Sequence, residues 1–149
     1  MKIRALAAAA ALSVLAPLGA LATAGVASAD PLANASIRNY IVRTGVGTAT
    51  VTASYVCPEG FHLWVSAKQS SSGRYDRALE GEGSSQVAGA WLQSHPTNFT
   101  CDGTRRTQTF TIDTEEQGFG TLRRGVAWVQ FCLIGENTFI AESQWVAVL

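Results

Sequence analysis

The sequence predicts an all-β domain, an antiparallel sandwich of two sheets built from seven to eight short strands. Three observations carry this expectation. Apolar and polar residues alternate with period two through most of the chain after residue 36. Clusters of Gly, Pro and Ser punctuate the alternating runs at close intervals. No stretch after residue 30 repeats its apolar residues with a helical period. Short half-buried strands joined by turns are packed most simply as two facing sheets.

The domain is preceded by a segment of another kind. Lys2 and Arg4 open the chain, an Ala/Leu-rich run follows to about Val26, and Ala27-Ser28-Ala29 ends it before Asp30. A basic start, an apolar middle and small residues at a cut define a secretory signal peptide over residues 1–29. Pro17 and Gly19 interrupt the run, which suits a cleaved leader better than a spanning helix. Removing 29 of the 149 residues leaves 120, enough for one domain with a single core. Nine of the 11 basic residues remain against all 11 acidic ones, so the exported part carries a net charge of −2. That balance excludes a nucleic-acid partner and an anionic-membrane surface, which need concentrated basic charge. No later apolar run approaches spanning length, so no stable membrane insertion is expected after cleavage. The protein is expected outside the cell.

Residues 30–36 read as a flexible lead, and 37–149 as the β domain. Ile37–Arg43 alternates and predicts an edge strand, turned by Thr44–Gly47. Thr48–Val56 sets Thr50, Thr52 and Ser54 on one face against Ala49, Val51, Ala53 and Tyr55 on the other, with Cys57 continuing the apolar face. After Pro58-Glu59-Gly60, Phe61–Gln69 points Phe61, Leu63, Val65 and Ala67 inward and His62, Trp64, Ser66 and Lys68 outward. Alternation predicts a strand over Arg74–Gly83 and a short element over Gln86–Gln93, with a strand stub at Asn98–Cys101. Asp102-Gly103 is a turn signal. Arg106–Asp113, the strongly apolar Gly125–Ile134 and Thr138–Leu149 complete the strands.

The three cysteines, Cys57, Cys101 and Cys132, all fall in the exported part, where oxidation is available. They allow one bridge and leave one free thiol, and a Cys101–Cys132 pairing is among the arithmetic alternatives.

The order of an alternating Thr/Val strand into Cys57-Pro58, a strand ending at Gln69, Cys101-Asp102-Gly103, a polar strand around Phe110, and Leu122–Ala127 resembles the small secreted β-sandwich proteins of actinobacteria. These are immunoglobulin-like in build. The resemblance runs from about Thr48 to Val129. It implies a Cys57–Cys101 disulfide and an immunoglobulin-like sandwich, and it implies no activity. Cys132 and the four tryptophans depart from the pattern.

Catalytic and metal chemistry find little support. His62 and His95 are the only histidines, no nucleophile-elbow sequence is present, and no spacing marks one serine as a nucleophile. No Cys/His set has zinc spacing, and neither Glu80/Glu82 nor Glu115/Glu116 has calcium-loop spacing. The sequence therefore implies no enzyme, no metal and no cofactor, and no cavity is expected to hold either histidine with a carboxylate.

The aromatic residues are more informative. If Phe61–Gln69 neighbours Gly125–Ile134 and, beyond it, the last strand, then Trp64, His62 and Lys68 share an outer face with Trp128, Gln130 and Cys132. Gln144 or Trp145 joins them, depending on register. An exposed Trp pair beside Gln and His would be a platform for a sugar ring or a peptide. The competing expectation packs one or more of these tryptophans beneath a segment from Arg74–Gln93. By parity Cys132 follows Trp128, and an outward thiol would support a disulfide-linked dimer.

The leading functional expectation is thus a secreted non-enzymatic module binding a saccharide or another protein at the cell envelope or outside the cell. The alternative is a secreted inhibitor of an extracellular enzyme, presenting arginines on Ser70–Arg77 or on the Cys101–Arg106 turn.

Overall fold

The computed structural model describes residues 33–149 except residue 82. The expected signal peptide, the first residues of the expected lead and Glu82 lie outside the described residues. The chain forms seven strands: β1 (Asn34–Gly45), β2 (Thr48–Val56), β3 (His62–Gln69), β4 (Ala90–Ser94), β5 (Arg106–Asp113), β6 (Gly125–Ile134) and β7 (Phe139–Val148). They form one closed, barrel-like sheet in the order β1-β2-β5-β4-β3-β6-β7. Every pairing is antiparallel except β1 with β7. No described helix is long and apolar enough to cross a membrane.

The closure is uneven. β2 and β5 pair over Thr48–Tyr55, and β6 and β7 pair along their whole lengths. By contrast β4 meets β5 only at Gln93 and Asp113, while β1 pairs with β7 at Tyr40 and Ile41 and the contact continues through Leu149, whose amide donates to Ile41 O and whose carbonyl accepts from the Arg43 amide. The closed sheet is thus thinnest between β4 and β5.

Alternation sets the core. Ala49, Val51, Ala53 and Tyr55 of β2 point inward, as do Leu63, Val65 and Ala67 of β3 and Ala127, Val129, Phe131 and Leu133 of β6; all are buried. Tyr55, Phe110 and Phe131 meet at the centre with ring centroids 5.6–6.0 Å apart. The buried Tyr55 hydroxyl donates to Gln108 Oε1 at 3.0 Å and accepts from the Thr100 amide at 3.4 Å, so the ring is buried without stranding its polar tip.

Three expected elements differ. β1 begins at Asn34, so Asn34–Ser36 of the expected lead pair with Ser54–Val56. Arg74–Gly83 is not a strand: Asp76 accepts a hydrogen bond from the Ala78 amide and starts a 3-10 turn over Arg77–Glu80, with a second turn at Ser84–Val87. A short side-chain cap satisfies the local backbone, which then has no need of a sheet neighbour. Asn98–Cys101 is irregular, and its Asn98 carbonyl accepts from the Gln108 side chain.

The long β3–β4 connection, Ser70–Gly89, is pinned at both ends. Gly73 O accepts from the Val126 amide at 2.9 Å, and Gly89 N donates to Gln69 O at 2.8 Å. The first contact requires glycine: Gly125 has φ +146°, and a Cβ there would lie 2.0 Å from Gly73 O.

Cys57, at the end of β2, is disulfide-bonded to Cys101 with a Cα–Cα distance of 4.8 Å. The bridge closes a loop between residues 44 apart in sequence. Replacing both cysteines by Ala is expected to lower the unfolding free energy by about 4 kcal/mol, the chain-entropy value for a loop of this size. Urea denaturation checks this; a loss below about 1 kcal/mol would mean the denatured chain already holds these residues together.

Candidate functional site

The register β4-β3-β6-β7 places one set of side chains outward: Trp91 and Gln93 on β4, His62, Trp64, Ser66 and Lys68 on β3, Trp128, Gln130 and Cys132 on β6, and Ala141, Ser143 and Trp145 on β7. Trp64 lies opposite Cys132, Ser66 opposite Gln130, and Lys68 opposite Trp128. Trp128 in turn lies opposite Trp145, which settles the register choice in favour of Trp145 over Gln144.

This outward face is not open. The Ser70–Gly89 connection folds back over it and is held by three side-chain contacts. Lys68 Nζ donates to Ser84 Oγ at 2.7 Å, and Ser84 Oγ donates to Leu79 O at 2.9 Å. Glu80 Oε1 accepts from both Trp145 Nε1, at 2.7 Å, and the Tyr75 hydroxyl, at 3.1 Å. Tyr75 stacks on Trp145 at 4.7 Å, and Trp145 packs on Trp128 at 5.7 Å. Leu79 is fully buried, the one large apolar anchor of the segment. Full burial of a leucine side chain contributes about 2 kcal/mol, enough to hold a short roof alongside these polar contacts.

The expected exposed Trp64–Trp128 pair is therefore replaced by two separate arrangements. Trp128 is paired with Trp145 beneath the roof. Trp64 stands apart, half-buried, with its indole N–H donating to Gln93 Oε1 at 3.0 Å. Beside Trp64 the roof leaves a cavity of about 390 Å³, lined by Trp64, Lys68, Gln130, Cys132 and Phe139, with Gly81 and Gly83 at the roof's edge. His62 does not join them. It is exposed at the start of β3 and lines a groove with Glu59, Phe61 and Phe99.

Lys68 is the only lysine after Lys2, yet it is only 5% exposed. Burial holds its ammonium below the usual lysine range, an effect partly offset by the neighbouring Cys132 thiol. Four side-chain polar atoms are buried without a partner among the described residues: Ser66 Oγ, Trp91 Nε1, Trp128 Nε1 and Gln130 Oε1. All four lie on this outward face of β4, β3 and β6. A group of this kind left without any partner costs about 1–3 kcal/mol, so each calls for a donor or acceptor beyond the protein's own side chains, water included.

Cys132 is the free cysteine, and it points outward as its parity requires, but it is 1% exposed. The expected exposed thiol is corrected: the outward face is covered, and outwardness does not mean solvent. Burial pushes the thiol up to about 11 from 9.0. A second copy of the chain can reach it only if the cover opens.

One further expectation is corrected for both histidines: the groove of His62 also holds the Glu59 carboxylate. His95 Nδ1 lies 2.5 Å from Glu116 Oε2, and His95 lines a polar groove of about 290 Å³ with Ser94, Thr109 and Thr111. A histidine–carboxylate pair at a groove thus exists, formed where the turn after β4 meets the loop after β5. It is solvent-exposed, and among the described residues His95 bonds no hydroxyl or thiol. No group of three potential metal ligands gathers among the described residues. Of the two candidate arginine loops, Ser70–Arg77 is bound down through Gly73, whereas Cys101–Arg106 is an exposed turn with Arg106 bonded to Asp102.

A scan against protein-family models finds no match to this chain, and a search of curated proteins finds none either.

The Cys132 environment sets a pH signature. Below pH 9 the thiol is neutral whether the chain is folded or unfolded. Between pH 9 and about 11 the unfolded chain releases its proton first, so the stability that burial of the neutral thiol contributes is lost across that interval. Lys68 acts in the opposite direction, adding stability as pH rises from its depressed value toward 10.5. The difference between wild type and Cys132→Ala reports the thiol together with its coupling to Lys68. Wild type should lose about 2–3 kcal/mol relative to the variant from pH 9 to 11.5, read by denaturant melts, and its thiol should react with Ellman's reagent only on unfolding.

Proposed function

We propose that this protein is a secreted, non-enzymatic, immunoglobulin-like β-sandwich module that binds a saccharide in the roofed cavity beside Trp64. The observation that carries the reading is the cavity itself. An indole face, an amide and a buried ammonium converge at about 390 Å³, within the size range of small-molecule sites. Sugar recognition uses this combination: an aromatic plane for the C–H face of a pyranose and polar side chains for its hydroxyls.

The sandwich reading rests on the thin seam between β4 and β5. Two well-paired sets of strands face each other across the Tyr55–Phe110–Phe131 core, and a single residue pair joins β4 to β5. Secretion rests on the leader-like first 29 residues and on the Cys57–Cys101 disulfide, which is at home in an oxidising compartment. The non-enzymatic reading rests on the isolation of His95–Glu116 from any bonded nucleophile. Inhibition of an extracellular enzyme is the second reading, and the exposed, disulfide-braced Cys101–Arg106 turn with Arg105 favours it.

Tryptophan emission separates the two. Titration with soluble cell-wall glycan fragments is expected to shift the emission saturably, and Trp64→Ala is expected to remove the shift while leaving the fold intact by circular dichroism. Saturable association with secreted proteases, unaffected by Trp64→Ala and abolished by Arg105→Ala, would instead establish the inhibitor reading.

A further inference from the structure

We infer that this protein associates with a second copy of itself head to tail, the β1–β2 turn of one copy entering a furrow at the opposite end of the next. The inference is independent of the saccharide reading and uses none of the residues beside Trp64.

The first observation is Val46. A two-residue turn, Val46-Gly47, joins β1 to β2 and is closed by the pairing of Gly45 with Thr48. Gly47 supplies the positive φ that the turn needs, at +66°. Nothing in such a turn calls for an aliphatic residue, and Gly, Asn, Asp or Ser is the usual choice. Valine nevertheless stands there, 90% exposed, the most exposed large hydrophobic residue among those described. A hairpin tip only two residues wide is a narrow apolar knob.

The second observation lies at the other end of β2. That strand runs nine residues, which sets Val46 about 30 Å from Pro58. Two grooves, of about 460 and 360 Å³, flank the β2–β3 turn. Both are lined by Glu59, Gly60 and Phe61, so they form one furrow. Its apolar lining is Pro58, Phe61, Pro96 and Phe99. The Phe61 ring lies against bare backbone: a Cβ added at Gly135 would come within 2.8 Å of it. The ring is thereby held in place and the furrow is preformed. Either lobe is larger than a valine side chain, so the furrow admits the tip together with its flanking glycines.

The third observation is charge. Arg43, Arg123 and Arg124 gather on one flank of the knob. Arg43 lies opposite Ala49, and Arg123 and Arg124 lead into Gly125, opposite Val148, which itself pairs with Ile41. Asp113, opposite Thr48, and Glu115 take the other flank, on the β5 side. The furrow is divided in the complementary sense. Glu59 and Glu136 line one lobe, while the other ends at Cys101, where the exposed turn with Arg105 begins. One rotation about the barrel axis sets the three arginines against the two glutamates, and Arg105 against Asp113 and Glu115. The reverse rotation brings like charges together, so charge fixes the orientation. Knob and furrow are different surfaces at opposite ends, so the contact is heterologous and propagates into short chains rather than closing as a symmetric pair. A tip seated in a furrow buries less than the about 1,200 Å² of a standard interface, so the association belongs to the weak, reversible class.

Sedimentation velocity tests this on the purified protein. Between about 10 μM and about 1 mM the average mass of wild type is expected to rise above the monomer, in keeping with a weak contact, and less so as sodium chloride is raised. Val46→Asp, which a turn accepts, is expected to be monomeric throughout. So is the double variant Glu59→Lys with Glu136→Lys, at two exposed positions. An equimolar mixture of the two is expected to give a dimer and nothing larger, because one intact knob and one intact furrow remain. Circular dichroism establishes that each variant is folded. Thr97→Trp, which fills the furrow from its exposed rim, replaces the double variant should that fail to fold. A wild type that stays monomeric to about 1 mM overturns the proposal, since even weak contacts of this class are populated there. Association that survives Val46→Asp, or that survives the furrow variant, overturns it as well. So does a mixture of the two variants that stays monomeric. None of these substitutions touches the Trp64 cavity, so the glycan titration succeeds or fails separately.

Discussion

The contact on which the outer half of this structure depends is the hydrogen bond from the Lys68 ammonium to Ser84. Lys68 points away from the barrel core, and on an ordinary sheet its charge would stand in water. Here the Ser70–Gly89 connection is drawn over it, Ser84 caps it, and the Leu79 carbonyl holds Ser84 in place. Without that chain of contacts the middle of the segment would keep, between its pinned ends, only Leu79 and the Glu80–Tyr75–Trp145 cluster to hold it down. The outward face of β3 and β6 would then open, and the cavity beside Trp64 would lose its lip at Gly81 and Gly83.

The inside and outside of the barrel obey different rules. Inside, alternation gives a continuous apolar core with its one hydroxyl, on Tyr55, satisfied at both ends. Outside, the face of β4, β3 and β6 holds a buried cation, a buried thiol and four buried polar atoms without partners among the described residues. A sequence selected for stability alone would place small apolar residues under such a cover, since a buried charge is commonly outperformed by a hydrophobic residue of the same volume. The proposed ligand would complete some of these polar groups.

Much of the barrel was legible in the sequence because it follows from period two. Ala49, Val51, Ala53, Tyr55, Leu63 and Val65 fall inside by parity alone, and the adjacency of β3, β6 and β7 agrees with the one supposed from the immunoglobulin-type arrangement. The outward grouping of Trp64, Lys68, Trp128, Gln130 and Cys132 was legible for the same reason. Their burial was not. Parity tells which side of a sheet a residue takes, while exposure depends on what docks there. The docking segment was misread because Arg74–Gly83 alternates by accident, and an Asp76 cap outweighs alternation in so short a stretch. A signal was present in Leu79, a lone large apolar residue among polar neighbours, and in Lys68, the only lysine of the domain on an otherwise uncharged strand face beside Trp64. The His95–Glu116 pair was illegible for a different reason: its members come from loops 21 residues apart, whose meeting depends on barrel closure.

The central claim is that Lys68 is buried under the Ser70–Gly89 roof. Its reactivity toward an amine-acylating reagent, read by peptide mass spectrometry on the native protein, tests this most directly, because any other modified lysine can only be Lys2. Acylation of native Lys68 is expected to be at least tenfold slower than that of a free lysine side chain, faster on Ser84→Ala and at the free rate on unfolding. Native Lys68 reacting at the free rate would contradict it, since the roof, the cavity and the buried cation would then all be absent in solution.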